Sequence, residues 1–325
     1  MELICPAGTP SSLRTAVDAG ADAVYCGFRN ETNARNFPGL NFSPEELAEG
    51  AAYAHRRGAK VLVAINTFPR AGAIALWHQA VDDAVKAGAD ALILCDIGLM
   101  AYAAATHPGT RLHVSVQAAA ANVDAIRFYV ERFNARRVVL PRVLSVPEIA
   151  AITRGTSCEV EVFVFGGLCV MAEGRCSLSS YATGLSPNMN GVCSPASHVA
   201  YEEQDGTVTS RLGGFTINKF GKGEPAAYPT LCKGRFRTDL STGYIFEDPV
   251  SLDAATLLPS LRDAGVTALK IEGRQRSRAY IEKVVRSFRE ALSALDNGHA
   301  IPPGMLQPMS EGQSNTLGAY RKTWR

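Results

Sequence analysis

A six-residue phrase recurs three times along the chain: AGADAV at 19–24, AGADAL at 87–92 and AGVTAL at 264–269. The first two copies follow an amphipathic helical pattern, SSLRTAVD at 11–18 and LWHQAVDDAVK at 76–86, and every copy leads into a short apolar run. Glycine suits the left-handed position that ends a helix, and an apolar run without alternation suits a strand covered on both faces. The repeated unit, helix then glycine stop then strand, is the αβ half of a βαβ repeat.

The same pattern places strands at 3–8, 23–27, 60–68, 91–96, 111–117, 137–142, 161–166 and 268–274. Helical stretches such as PEELAEGAAYAHRR, VDAIRFYVERF and VPEIAAIT separate them, with asparagine, serine or proline near several starts. Eight strands in an α/β alternation predict a closed (β/α)8 TIM-like barrel, although an open doubly wound sheet gives the same alternation. The rhythm breaks once. Between the seventh and eighth strands, residues 167–250 form a long cysteine-rich insertion, read as irregular, with one helical stretch (LDAATLLPSLRDAG) after it. The expected organisation is a single barrel domain over 1–298 that includes this insertion. An extended tail over 299–325, rich in proline, glycine and serine, reads as draped over the barrel or a partner, or as disordered.

Charge narrows the partners. Thirty-three basic against 31 acidic residues leave +2, too small an excess to call for nucleic acid or an anionic membrane surface. The start MELICPAG has no signal-peptide pattern and no run of 18 apolar residues occurs, so a cytoplasmic, folded chain without a transmembrane segment is expected. Disulfides are uncommon in that compartment, so the eight cysteines are expected as buried thiols or metal-holding thiolates.

Cys5, Cys26, Cys95 and Cys158 lie within or beside strand patterns and read as small buried hydrophobes. Cys169, Cys176, Cys193 and Cys232 all fall in the insertion, with 6, 16 and 38 residues between successive members. That spacing is neither a zinc ribbon nor a common ferredoxin run. Glycines at 166, 167, 174, 191 and 234 let the backbone turn tightly around a compact object. Arg175, Lys233 and Arg235 would offset the charge of four thiolates. From the residues alone an iron-sulfur cluster, a zinc ion and uncoordinated thiols all stay open.

The stretch E-V-F-V-F-G-G-L-C-x4-G-x-C-S-L-S from Glu161 to Ser179 resembles the signature of the collagenase-like peptidase family, a group with a barrel fold. SSYATGLSPNMNGVCSPAS (179–197), YPTLCKGRF (228–236) and LKIEGRQRS (269–277) are similar to its ubiquinone-biosynthesis branch. The resemblance runs from Met1 to about residue 298. It implies that Cys169, Cys176, Cys193 and Cys232 ligate a 4Fe-4S cluster. It also implies oxygen-independent hydroxylation of the aromatic ring of ubiquinone precursors, with a homologous (UbiV-like) partner as heterodimer. The substrate implied is a polyprenylated aromatic presented by a lipid carrier protein, with prephenate, associated with RNA-hydroxylating relatives, as oxygen donor. An RNA hydroxylase and a non-catalytic iron-sulfur scaffold are the alternatives. Peptide hydrolysis is not expected, because the chain has no H-E-x-x-H, no G-x-S-x-G and no obvious cysteine-histidine pair. In one departure, Arg142 is followed by Val143 where other branches carry an acid, so no role is borrowed for that acid.

In a barrel the reactive groups gather at the C-terminal ends of the strands. Asn66, Asp96, Gln117, Arg142, Glu272 and Arg274 lie near such ends, and Asn66, Gln117, Arg142, Glu272 and Arg274 are the catalytic candidates. Lys270 shares a strand face with Glu272, and His113 with Ser115 and Gln117; an internal ion pair and a hydrogen-bonded barrel histidine are the plainer readings. Arg142 and Arg274 suit a carboxylate clamp or ordinary salt bridges. Asn33, Arg35 and Asn36 in RNETNARNF would reach over the mouth or form turns. His55, His78 and His107 read as surface residues.

Overall fold

The structure is a computed structural model of the chain, and it describes every residue except 38, 170–175, 186–192, 225, 227, 247, 249, 311–313 and 322–325. Seven strands come first: β1 (Glu2–Pro6), β2 (Ala23–Cys26), β3 (Lys60–Ile65), β4 (Ala91–Leu94), β5 (Arg111–Val114), β6 (Arg137–Val139) and β7 (Glu159–Gly167). Each pairs in parallel with the next. Six helices alternate with them: α1 (Pro10–Asp18), α2 (Pro44–His55), α3 (Ala75–Lys86), α4 (Ile97–Thr106), α5 (Val123–Phe133) and α6 (Val146–Gly155).

The insertion follows as α7 (Ser177–Thr183), the antiparallel strands β8 (Val199–Gln204), β9 (Thr207–Leu212) and β10 (Phe215–Phe220), and the hairpin β11 (Arg235–Arg237) and β12 (Thr242–Tyr244). Next come β13 (Val250–Asp253), α8 (Leu258–Asp263), β14 (Ala268–Ile271), α9 (Arg278–Asp296) and β15 (Ser314–Thr316). β14 pairs in parallel with both β7 and β1, which closes eight strands into the expected barrel.

Local chemistry explains the frame. Gly20, Gly88 and Gly265, the glycines of the repeated phrase, have φ of +104°, +87° and +85°, the conformation where a side chain is strained. Helix α2 starts with Pro44 after Ser43, whose side chain and that of Glu46 close a capping box. The main apolar core lies between the strands and the outer helices.

The barrel interior is divided. On the β1–β4 side it holds Ile4, Ala23, Tyr25, Leu62, Ala64, Ala91 and Ile93. On the other side stand buried His113, Arg137, Glu161 and Lys270. Arg137 reaches Glu2 (2.5 Å), Glu159 (2.6 Å) and Glu161 (3.3 Å), and Lys270 Nζ lies 2.5 Å from Glu161. Part of the inward row is thus an ion network.

The insertion differs from its irregular reading: much of it is an antiparallel sheet with a small core of Ala182, Leu212, Ile217 and Leu231. Its β8–β9 turn is Asp205–Gly206, both at positive φ (+51° and +74°), as a two-residue hairpin loop requires. The chain after α9 returns to the barrel. β15 pairs with β13, which pairs antiparallel with the end of β7. Leu306 is fully buried, and the buried Tyr320 hydroxyl donates to the Phe163 carbonyl. Among the described residues no helix is long and apolar enough to cross a membrane.

Candidate functional site

Strand β7 ends where side chains stop being tolerated. Gly166 has φ +114°, and a Cβ there would lie 2.7 Å from the Glu272 carbonyl oxygen. The close approach of the two strand ends directs Leu168 and Cys169 out of the barrel mouth. Cys176 precedes the first turn of α7, Cys232 lies on a short 3-10 turn, and Cys193 precedes Ser194. All four cysteines border one cavity of about 160 Å³, together with Arg35, Arg142, Tyr228, Lys233 and Glu272. Gly174, Arg175 and Gly191 lie outside the described residues.

Burial pushes the Cys232 thiol up to about 12, and Cys169, Cys193 and Cys176 push the same way against the opposing Lys233 ammonium. Four thiolates crowded so closely require a cationic group among them. Yet among the described residues no three His, Cys, Asp or Glu side chains are set around a point where one ion could be held. The four cysteines line one cavity, a donor set that a zinc ion or an iron-sulfur cluster would both use. Arg235 turns away from this cavity: it pairs with Glu224 at 3.2 Å and donates to the Lys219 carbonyl.

A second cavity of about 50 Å³ lies in the barrel and shares Ala34, Arg35, Arg142 and Glu272 with the first. Asn66, Gln117, Arg142, Glu272 and Arg274 all border it, so the strand-end candidates come together. Asn66 accepts from the Ala34 amide (3.1 Å) and donates to Ser115 Oγ (3.3 Å). Gln117 is buried, with no partner for its Oε1 among the described residues. The Arg142 guanidinium lies 3.6 Å over the Phe163 ring. Glu272 stands on the wall between the cavities, 3.8 Å from Arg35. Arg274 is 4% exposed; its Nη2 donates to Asn33 Oδ1 at 2.8 Å, while its Nε and Nη1 have no partner among the described residues. Burial lowers its guanidinium to about 10. A buried guanidinium with two unanswered N–H edges is a ready receptor for a carboxylate.

Of the two readings of Asn33 the turn former holds: it is fully buried, accepts from the Arg35 amide two residues on (3.0 Å) as well as from Arg274, and donates to the Phe28 carbonyl (3.1 Å), so it also supports that arginine. Arg35 borders both cavities; Asn36 borders neither. Asp96 caps α4 through the Leu99 amide (2.8 Å) and is committed to the helix. His113 is buried, but neither ring nitrogen has a partner among the described residues. It faces a separate polar cavity of about 100 Å³ at the opposite end of the barrel, with Glu2, Lys60, Arg111, Arg137 and Glu159.

His55 and His107 pair with Asp90 and Asp82 near the surface, and His78 stacks on Tyr102 at 3.8 Å. Cys5, Cys26, Cys95 and Cys158 are buried and border neither cavity of the mouth. Sequence reasoning missed Tyr228, which borders the cysteine cavity and donates to the Ser194 carbonyl (2.8 Å); its place four residues before Cys232 was the available signal.

Comparison with known proteins supplies the lineage. The tRNA hydroxylation protein P of Escherichia coli (strain K12) is 32% identical over 329 residues, covering 95% of this chain and 71% of that protein. The collagenase of Porphyromonas gingivalis is 31% identical over 308 residues, 91% of this chain and 66% of that one. The 23S rRNA 5-hydroxycytidine C2501 synthase of E. coli is 30% identical over 298 residues, 91% of this chain and 40% of that enzyme. The chain therefore spans between 40% and 71% of the length of these relatives. Residues 8–315 match peptidase family U32, and the chain belongs to that family.

Proposed function

We propose that the chain is an iron-sulfur component of an oxygen-independent ring hydroxylase, with Cys169, Cys176, Cys193 and Cys232 as ligands of a 4Fe-4S cluster. One observation carries this reading: four cysteines surround a single cavity that shares a wall with a cationic barrel cavity. A cluster held there would supply one-electron chemistry beside the mouth. The chain's own groups do the rest. Lys233 and Arg35 offset the thiolate charge, and Glu272, on the shared wall, accepts or returns a proton.

The barrel cavity is bordered by four cationic side chains, Arg35, Arg142, Lys270 and Arg274, and one carboxylate, Glu272. Such a surplus favours an anionic ligand. Its small volume admits a carboxylate group rather than a whole substrate, so Arg274, backed by Asn33, binds one carboxylate of an organic oxygen donor such as prephenate.

The substrate we favour is the aromatic ring of a polyprenylated ubiquinone precursor, handed over by a lipid carrier protein, in a UbiU-like role beside a UbiV-like partner. The four quoted sequence stretches and the near-neutral net charge of +2 support it. RNA hydroxylation is the second reading, supported by relatives named for tRNA and 23S rRNA. Peptide hydrolysis is disfavoured, because the three histidines nearest the surface of the barrel helices are occupied by aspartates or a tyrosine rather than set beside a nucleophile.

A strain lacking the chain, grown without oxygen, separates the readings. Loss of hydroxylated quinone intermediates, restored by the wild-type chain and not by the Cys169→Ser variant, is the expected result. Intact quinones with missing hydroxylated nucleosides would transfer the assignment to RNA.

A further inference from the structure

Two buried side chains that border the barrel cavity lack full partners among the described residues, and they follow different strands. Arg274, beyond β14, is 4% exposed and has Nε and Nη1 unanswered. Gln117, on the short 3-10 turn Val116–Ala118 after β5, is 5% exposed and has no donor to its Oε1. Strands β6 and β7 stand between them, so the cavity has two poles.

Ser115 opens the same turn, borders the same cavity and is itself buried. Its Oγ accepts from Asn66 Nδ2 and from the Gln117 amide, both at 3.3 Å, which leaves the hydroxyl proton to donate elsewhere. This pole therefore offers one O–H donor beside one side-chain amide. A hydroxyl answers both, accepting from Ser115 and donating to Gln117 Oε1. It also suits the amide turned end for end, because a hydroxyl accepts as readily as it donates. A keto oxygen or a methylene leaves Oε1 without a donor, and a buried acceptor left so is costly.

Charge decides the other pole. Lys270 is answered by Glu161 at 2.5 Å and Arg35 faces Glu272 at 3.8 Å, whereas Arg274 keeps two N–H donors for a carboxylate. A volume of about 50 Å³ holds about four water-sized groups, room for a carboxylate and a nearby hydroxyl. Any larger remainder has the wall shared with the cysteine cavity, at Arg35, Arg142 and Glu272, as its way out. Water is the competing occupant, and it would distinguish no acid from another.

We propose that the barrel cavity is a hydroxycarboxylate site, with Arg274 reading the carboxylate and Ser115 and Gln117 reading the hydroxyl. The assignment rests on Arg274 as a carboxylate receptor, and on neither the cluster nor the ring substrate. It narrows the acid bound there to one that carries a hydroxyl, and it makes Gln117 the specificity-determining residue.

Lactate, propionate and pyruvate differ only in the group beside the carboxylate: a hydroxyl-bearing carbon, a methylene or a keto carbon. Titrated against the full chain purified without oxygen and followed by ligand-observed NMR, lactate is expected to bind about tenfold or more tightly than either other acid. Gln117→Leu should bring lactate to within about twofold of propionate while propionate itself is unchanged. Since the Gln117 side chain gives up no partner among the described residues, this variant should melt no more than about 3 °C below wild type. Ser115→Ala, which removes the donor alone, is the second variant and should cost lactate about fivefold and propionate nothing.

Equal affinities for the three acids, all lost in Arg274→Gln, would overturn the hydroxyl pole and leave Arg274 as a carboxylate receptor. Tighter binding of pyruvate, or a lactate preference that survives both Gln117→Leu and Ser115→Ala, would overturn it as well. Binding of none of the three would remove the Arg274 reading together with this site.

Discussion

At the scale of single residues, pairs that look equivalent in the sequence separate by what surrounds them. Arg142 and Arg274 read as twins, yet one lies over the Phe163 ring while the other is a buried receptor carried by Asn33, a contact across 241 residues of chain. No local pattern encodes such a distant partner, which is why Asn33 reads as a loop former. His113 makes the converse point. Its inward position is legible from alternation along β5, whereas its lack of a partner depends on β6 and β4 neighbours. Burial first, and then Arg137, Arg111, Lys270 and Lys60, hold it well below the usual imidazole value, with Glu2 and Glu159 across the same cavity.

The folded chain therefore keeps His113 neutral while the unfolded chain protonates it below about pH 6.5. The unfolded state binds more protons there, so stability falls as pH falls through that value. Between pH 7 and 5 this one group removes up to about 2 kcal/mol. Guanidinium unfolding of wild type and His113→Leu at both pH values should show a smaller acid loss in the variant; equal losses would contradict the assignment.

At the scale of elements, the barrel was readable because its signals are local: the three repeat glycines stop helices, and each following apolar run is a strand. The insertion was harder. Asp205–Gly206 between two six-residue strands is a strong hairpin signal, masked by Glu202 and Glu203, which break the apolar alternation of β8. The β13–β15 ledge could not be read at all, since short strands that pair with distant segments carry almost no periodicity of their own.

That ledge braces the end of β7 from which Cys169 projects. Tyr320 is its anchor, 5% exposed and donating to Phe163. Tyr320→Phe should cost about 1 kcal/mol and Tyr320→Ala about 3 kcal/mol in denaturant unfolding. An alanine variant as stable as wild type would show that the strap bears little of the fold's stability.

At the scale of the whole molecule, the chain is a barrel whose mouth carries two adjoining chambers, one ringed by sulfur and one lined by cations. The four cysteines were visible in the sequence as residues with glycines beside them, and their convergence was expected from those glycines and the family resemblance; that their cavity adjoins a cationic barrel cavity was not legible. Membership of peptidase family U32 accounts for the shared architecture, and the chambers carry the functional reading.

The functional reading stands or falls on whether these cysteines hold a four-iron cluster. Anaerobic purification followed by iron, sulfide and zinc determination tests it most directly. The expected result is a brown protein with about four irons and four sulfides per chain, both lost when any one of Cys169, Cys176, Cys193 and Cys232 is replaced by serine. A colourless protein holding one zinc per chain after anaerobic reconstitution would contradict it.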